Sequence, residues 1–253
     1  MSRKFKPKPD NKLTERFRGQ LKDLQELLDV DEFIEHERRI SDNILIADDV
    51  IGKGFCEEFL DDALYNQEDS RWSPNIDYGN NRNPWPISEW GYTLIDSPGD
   101  QWYENKLKDK AQELYKKLEG YISEMFDVKV ILNGGHMNAT TFGQDSMIHY
   151  DNPDGSNAFF LVFFNDDMNA YDGGELQTYI NLNPNRDENI DFHQSETNYS
   201  INPKVGRILL VDSRILHRGL APTRFYPGTR FTIVFKVKFE NTTDAYNKFG
   251  WKW

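Results

Sequence analysis

The sequence predicts an α+β chain with a mainly β core, and three observations carry that prediction. After Asp127 the chain breaks into short β-branched or aromatic runs: VKVILNG, HMNATTF, SMIHYD, NAFFLVFFND, GGELQTYI, GRILLVD and GTRFTIVFKVKF. Gly, Asn, Asp and Pro separate these runs, as they separate strands. Before Asp127 the apolar residues recur at helical spacing instead. Short strands in series imply a largely antiparallel sandwich, barrel or jelly roll, here with helices placed before it.

Residues 1–12 read as a flexible basic tail. From Leu13 to about Ile40, Leu13, Phe17, Leu21, Leu24 and Leu28 mark a long amphipathic helix, a buttress on the core in the plainer reading and a partner-binding helix in the sharper one. NILIADDVIG (43–52) reads as a strand and KGFCEEFLDDALYN as a short helix. Residues 71–92 are irregular and rich in Trp, Tyr, Pro and Asn: either a surface loop pinned by its own aromatics or a lid facing a substrate. A second long helix is expected over 100–126, with Trp102, Leu107, Leu114, Leu118, Ile122 and Met125 on its apolar stripe. The division is therefore a tail (1–12), a helical and loop-rich part (13–126) and a β core (127–253), with 43–253 forming one continuous domain.

Composition excludes several function classes. The formal charge of -12 argues against a general nucleic-acid binder, which needs excess Lys and Arg to neutralise phosphates. Cys56 is the single cysteine, so no internal disulfide forms and a thiolate-rich zinc site is ruled out. No apolar run approaches a membrane span, and no apolar segment follows the basic N-terminus. These features fit a cytoplasmic protein.

In MIHYDNP, His149 and Asp151 lie two residues apart. On a strand both would point to one face. With 42 acidic residues and five His in the chain, such a pair is weak alone and needs a third ligand. His36, His136 and His193 read as surface or structural. His217 differs, because it ends the strand-and-turn run GRILLVDSRIL. His149, Asp151 and His217 together would supply two imidazoles and one carboxylate, leaving three coordination positions open on iron. Arg230 opens an apolar strand whose alternation sends Arg230, Thr232 and Val234 to one face and Phe231, Ile233 and Phe235 to the other. If the first face lines the interior, the guanidinium needs an anion there, from a protein Asp or from a ligand carboxylate.

His149-Tyr150-Asp151, a gap of 65 residues, His217, and Arg230 thirteen residues later resemble the iron(II)/2-oxoglutarate-dependent oxygenases, in particular the prolyl 4-hydroxylase-like group. The GGEL turn at 173–176 and GRILLVDSRILHRGLAP support the likeness, which covers 127–240 and extends to 43–64. The resemblance implies a double-stranded β-helix, a jelly-roll barrel with N-terminal and buttressing helices. It makes His149, Asp151 and His217 iron ligands, and makes Arg230 the anchor of the far carboxylate of 2-oxoglutarate, with Thr232 beside it. Thr140 stands nine residues before His149, where that group often has a Tyr, and is carried over as a cosubstrate contact.

The implied cofactors are Fe(II), 2-oxoglutarate and O2, with ascorbate as an optional addition. The implied reaction hydroxylates a C–H bond, a prolyl residue of a peptide or protein first among substrates, and releases succinate and CO2. A free amino acid, another small molecule or a nucleic acid are the alternative substrates, and a non-enzymatic jelly-roll binding module is the alternative class. Trp72, Trp85 and Trp90 are candidates for an aromatic substrate groove. Arg224, in an R-x5-R spacing with Arg230, is a further substrate candidate.

Overall fold

The computed structural model describes residues 41–65, 72–75, 89–95, 102, 107–152, 157–181 and 195–252. The basic tail, the helix expected over 13–40, His36, Trp85 and His193 lie outside them. In chain order the elements are β1 (Ile44–Ala47), helix α1 (Lys53–Tyr65), β2 (Ser73–Asn75), β3 (Glu89–Ile95), helix α2 (Lys108–Phe126), β4 (Val130–Thr140), β5 (Asn157–Phe163), β6 (Leu176–Asn181), β7 (Ser195–Ile201), β8 (Ile208–Asp212), β9 (Leu216–Gly219), β10 (Arg230–Phe239) and helix α3 (Thr242–Phe249).

The strands form two sheets, ordered β1-β8-β5-β10-β4-β3-β2 and β7-β6-β9, in which every paired neighbour is antiparallel. Strand periodicity gives the large sheet two different faces. Phe159, Leu161, Phe163, Leu209, Val211 and Val234 pack with Leu176 and Ile201 of the small sheet, forming the core between sheets. The alternate residues Phe160, Val162, Phe231, Ile233 and Phe235 turn outward and pack with Phe59 of α1, Leu114 and Leu118 of α2 and Tyr246 of α3. The expected jelly-roll core with buttressing helices is what the chain forms.

Several expected elements shift. The second helix starts at Lys108, not near residue 100; Trp102 instead makes a bridge with Ile95. Its spacing matches the helical stripe by coincidence. VKVILNG and HMNATTF merge into the single long strand β4, whose register against β10 shifts between Lys236 and Val237. SMIHYD is not a regular strand. It is stitched to the small sheet and Ser213 at separate points, through Ser146 N to Gly219 O, the His149–His217 pair and Asn152 N to Ser213 O. The region read as an irregular loop contributes β2 and β3, paired at the edge of the large sheet; residues 76–88 lie outside the described set.

A buried polar network closes the C-terminus onto the barrel. The Asp212 carboxylate, fully buried, accepts from Asn43 Nδ2 (3.0 Å), Arg214 Nη2 (2.7 Å) and Tyr246 Oη (2.6 Å). Arg214 and Asn43 also donate to the carbonyl of Lys252. A buried charge is tolerated when it is paired and hydrogen-bonded this completely.

Candidate metal and cosubstrate site

His149, Asp151 and His217 offer ligand atoms that all lie within 4.8 Å of one another. Backbone pairing creates the arrangement. His149 and His217 exchange both N–H···O bonds at 3.0 Å, so the two imidazoles stand side by side with ring centroids 4.5 Å apart. Each ring is fixed by its own turn: His149 Nδ1 meets the carbonyl of Met147 and His217 Nδ1 that of Ile215, both at 2.8 Å. A carbonyl only accepts, so each Nδ1 carries a proton, and in the neutral ring Nε2 keeps its lone pair. Tyr150 anchors the intervening residue, its hydroxyl accepting from Asn181 Nδ2 at 3.1 Å.

The electrostatics suit a cation. Burial lowers the His217 pKa to about 4, assisted by His149 and opposed by Asp151, so the ring is neutral at neutral pH. Burial would raise the Asp151 carboxyl, but the charges of His217, Lys236 and His149 outweigh it and hold the group at about 2. Asp151 Oδ2 lies 3.7 Å from His217 Nε2, and Oδ1 lies 2.9 Å from Lys236 Nζ. Ligand atoms within 4.8 Å of one another lie close enough to share one ion. His149 is exposed, Asp151 intermediate and His217 buried, so the cluster opens to solvent on one side.

Arg230 lies deeper, 3% exposed, with Thr232 at 1% and Thr140 at 2%. The Arg230 guanidinium carbon sits 5.5 Å from the centre of the Phe163 ring, and Nη1 reaches Thr140 Oγ1 at 3.5 Å. Glycines make room for this side chain. A Cβ on Gly174, whose φ is +80°, would meet Arg230 Cδ at 2.9 Å, and one on Gly219 would lie 3.5 Å from both terminal nitrogens. Gly219 follows His217 by two residues on β9, which places the guanidinium about 7 Å along the barrel from that ligand. Thr232 Oγ1 and Asn138 Oδ1 are buried and have no hydrogen-bond partner among the described residues. They face each other across the β4–β10 pair. Unpaired buried polar atoms are rare in native proteins; beside a buried arginine the Thr232 hydroxyl can donate to a bound carboxylate, whereas Asn138 Oδ1 can only accept.

Other expected residues fall elsewhere. Trp72 packs edge-on against Tyr92 and Phe231 and donates Nε1–H to the Ala63 carbonyl at 3.5 Å. It therefore belongs to the helix side of the large sheet, on the face opposite the cluster. Trp90 lies in β3, opposite Pro74 and Ala139. Arg224 is exposed on the turn before β10, its guanidinium over Phe225 at 4.9 Å and beyond the Arg230 end of β9. Two residues that the sequence reading did not assign to the site join it. Lys236 contacts Asp151 directly. His136, read as surface or structural, lies on β4 opposite Val234, on the barrel-facing parity, where its pKa is about 4 because of burial and Lys236. The signal for both was parity: 230, 232, 234 and 236 share one face, as do 136, 138 and 140.

No protein-family model matches the chain, and no curated protein matches it. Solved structures do. A prolyl hydroxylase from Trichoplax adhaerens, in complex with a peptide fragment of the hypoxia inducible factor oxygen degradation domain, aligns with a TM-score of 0.54 at 15% identity over 86% of this chain and 94% of its own. The α-ketoglutarate-dependent non-heme epimerase SnoN of nogalamycin biosynthesis aligns at 0.57, with 10% identity over 83% of this chain and 82% of its own. A 2-oxoglutarate/Fe(II) oxygenase-family oxidoreductase from Burkholderia pseudomallei aligns at 0.52, with 10% identity over 83% and 89%. The likeness to these three structures shows that the chain shares their fold.

Proposed function

We propose that the protein is an Fe(II)- and 2-oxoglutarate-dependent dioxygenase that hydroxylates an unactivated C–H bond, with a prolyl residue of a peptide or protein as the leading substrate. The observation that carries the reading is the His149–Asp151–His217 cluster, with both Nε2 atoms left as acceptors and Arg230 buried on the same barrel interior. Iron(II) held there with 2-oxoglutarate supplies oxidative decarboxylation, which consumes O2, releases succinate and CO2 and delivers one oxygen atom to the substrate.

The chain's own groups have distinct tasks. His149, Asp151 and His217 hold the ion and leave three positions open. Arg230, aided by Thr232 and Thr140, would hold the far carboxylate of 2-oxoglutarate. Phe159, Leu161, Phe163 and Val234 line the interior between the sheets and exclude water from the chemistry. The Trichoplax relative, seen with a peptide, supports a peptide substrate. The epimerase relative supports a second reading, in which the same centre acts on a small molecule. Succinate release decides between them. Proline-containing peptides should raise it above the substrate-free rate, and free proline should not. Stimulation by small molecules but by no peptide would reject the prolyl-peptide reading.

A further inference from the structure

We propose that Lys236 is a positioning residue that sets how Asp151 meets the metal: its ammonium holds Oδ1 of the carboxylate, so that Oδ2 alone is presented to the ion. This rests on the metal-site reading above. The two carboxylate oxygens already have different surroundings. Oδ1 lies 2.9 Å from Lys236 Nζ, whereas Oδ2 faces the His217 ring at 3.7 Å from Nε2.

The fold delivers Lys236 to that place. It shares the interior-facing parity of Arg230, Thr232 and Val234. Across β4 it faces Gly134, which has no side chain to obstruct it, and the register shifts immediately afterwards. Across β5 it faces Phe159, whose ring packs on His217 with centroids 4.8 Å apart. One strand therefore carries the Arg230 carboxylate anchor near its start and the Asp151 restraint six residues later.

The restraint has a chemical purpose. A carboxylate can bind a metal through one oxygen or two. A two-oxygen Asp151 would occupy a position that the cosubstrate and oxygen require, since the centre works only with three left open. Occupying Oδ1 with a fixed donor prevents that. Removing Lys236 then has effects of opposite sign. It deletes a positive charge beside a cation site, and it frees a second oxygen for the ion. Both changes strengthen metal binding. The same freed oxygen competes with 2-oxoglutarate and weakens its binding. A merely structural lysine would weaken both or neither.

The test is calorimetric titration of the full chain with Mn(II) alone, then of the Mn(II)-loaded protein with 2-oxoglutarate, for the parent, Lys236→Met, Lys236→Gln and Lys236→Arg. Lys236→Met should bind Mn(II) about threefold or more tightly, from the loss of a like charge beside the cation, and 2-oxoglutarate about tenfold more weakly, from the freed carboxylate oxygen. Lys236→Arg should stay near the parent in both. Lys236→Gln removes the charge but keeps a donor, so Mn(II) binding should tighten while 2-oxoglutarate binding holds; it also serves if the Met variant does not fold. Two constants that move together, or neither moving, overturn the proposal. A parent that binds no Mn(II) removes the metal site itself, and with it the proposed function. A parent that binds both ligands, with Lys236→Met matching it, removes only the role of Lys236.

Discussion

Thr232→Val tests the proposed cosubstrate contact through both stability and binding. Thr232 is 1% exposed, its Oγ1 has no hydrogen-bond partner among the described residues, and it lies two residues from Arg230 on the same face of β10. An unpaired buried hydroxyl costs about 1–3 kcal/mol. Valine keeps the branched shape and removes that hydroxyl, so the free protein should gain about 1 kcal/mol in stability. The loaded protein should behave in the opposite way. A hydrogen bond to a charged carboxylate contributes about 1.5–3 kcal/mol, and each 1.4 kcal/mol is about tenfold in affinity. Binding of 2-oxoglutarate to the Mn(II)-loaded variant should therefore weaken about 10- to 100-fold. Urea denaturation reads the first quantity and calorimetry the second. A variant that is less stable without ligand yet binds 2-oxoglutarate normally would refute the reasoning, because Thr232 would then be serving the fold and not the pocket.

Two further predictions concern the frame around the site. Tyr246→Phe removes the 2.6 Å hydrogen bond to Asp212 while Asn43 and Arg214 still hold the carboxylate; unfolding free energy should fall by about 1.5–3 kcal/mol, read as a lower urea midpoint at unchanged slope. His136 titrates at about 4 in the folded chain against 6.5 unfolded, so between these values the unfolded state binds more protons. Its contribution to stability is complete above about pH 6.5 and is lost as pH falls toward 4; His136→Gln should flatten the melting-temperature profile of the metal-free protein across that window, and an unchanged profile would show that His136 titrates normally.

Much of the architecture was legible because strand alternation is a two-face signal. The run from Arg230 to Phe239 reads correctly since its odd positions, Phe231, Ile233 and Phe235, are uniformly apolar and do pack under the helices. The two-histidine, one-acid set was legible from order and spacing. Its geometry was not: His149 and Asp151 converge through scattered hydrogen bonds to β9 and Ser213, not through a regular strand. Strand β7 was missed because SETNYSI is a polar strand at the edge of the small sheet, mostly exposed, and so shows little apolar alternation. Helix α3 was missed although its signals were present: Asn241 accepts from Asp244 N, and Gly250 closes the end at φ 69°. Lys236 shares the parity of Arg230 and Thr232, and opposite Gly134 it reaches Asp151, a pairing across the fold that no local pattern shows. Trp72 illustrates the reverse error, since an aromatic in an irregular segment is as useful to a core as to a substrate groove.

The central claim is that the cluster and Arg230 build one chelate site, and an anaerobic titration tests it most directly. Fe(II) is added first and 2-oxoglutarate second, while the weak visible metal-to-ligand charge-transfer band is followed in the parent and in Arg230→Leu. The account predicts a band that requires iron, 2-oxoglutarate and an intact Arg230. No band at saturating ligand would contradict it, and His149, Asp151 and His217 would then be a zinc or structural cluster in a binding module.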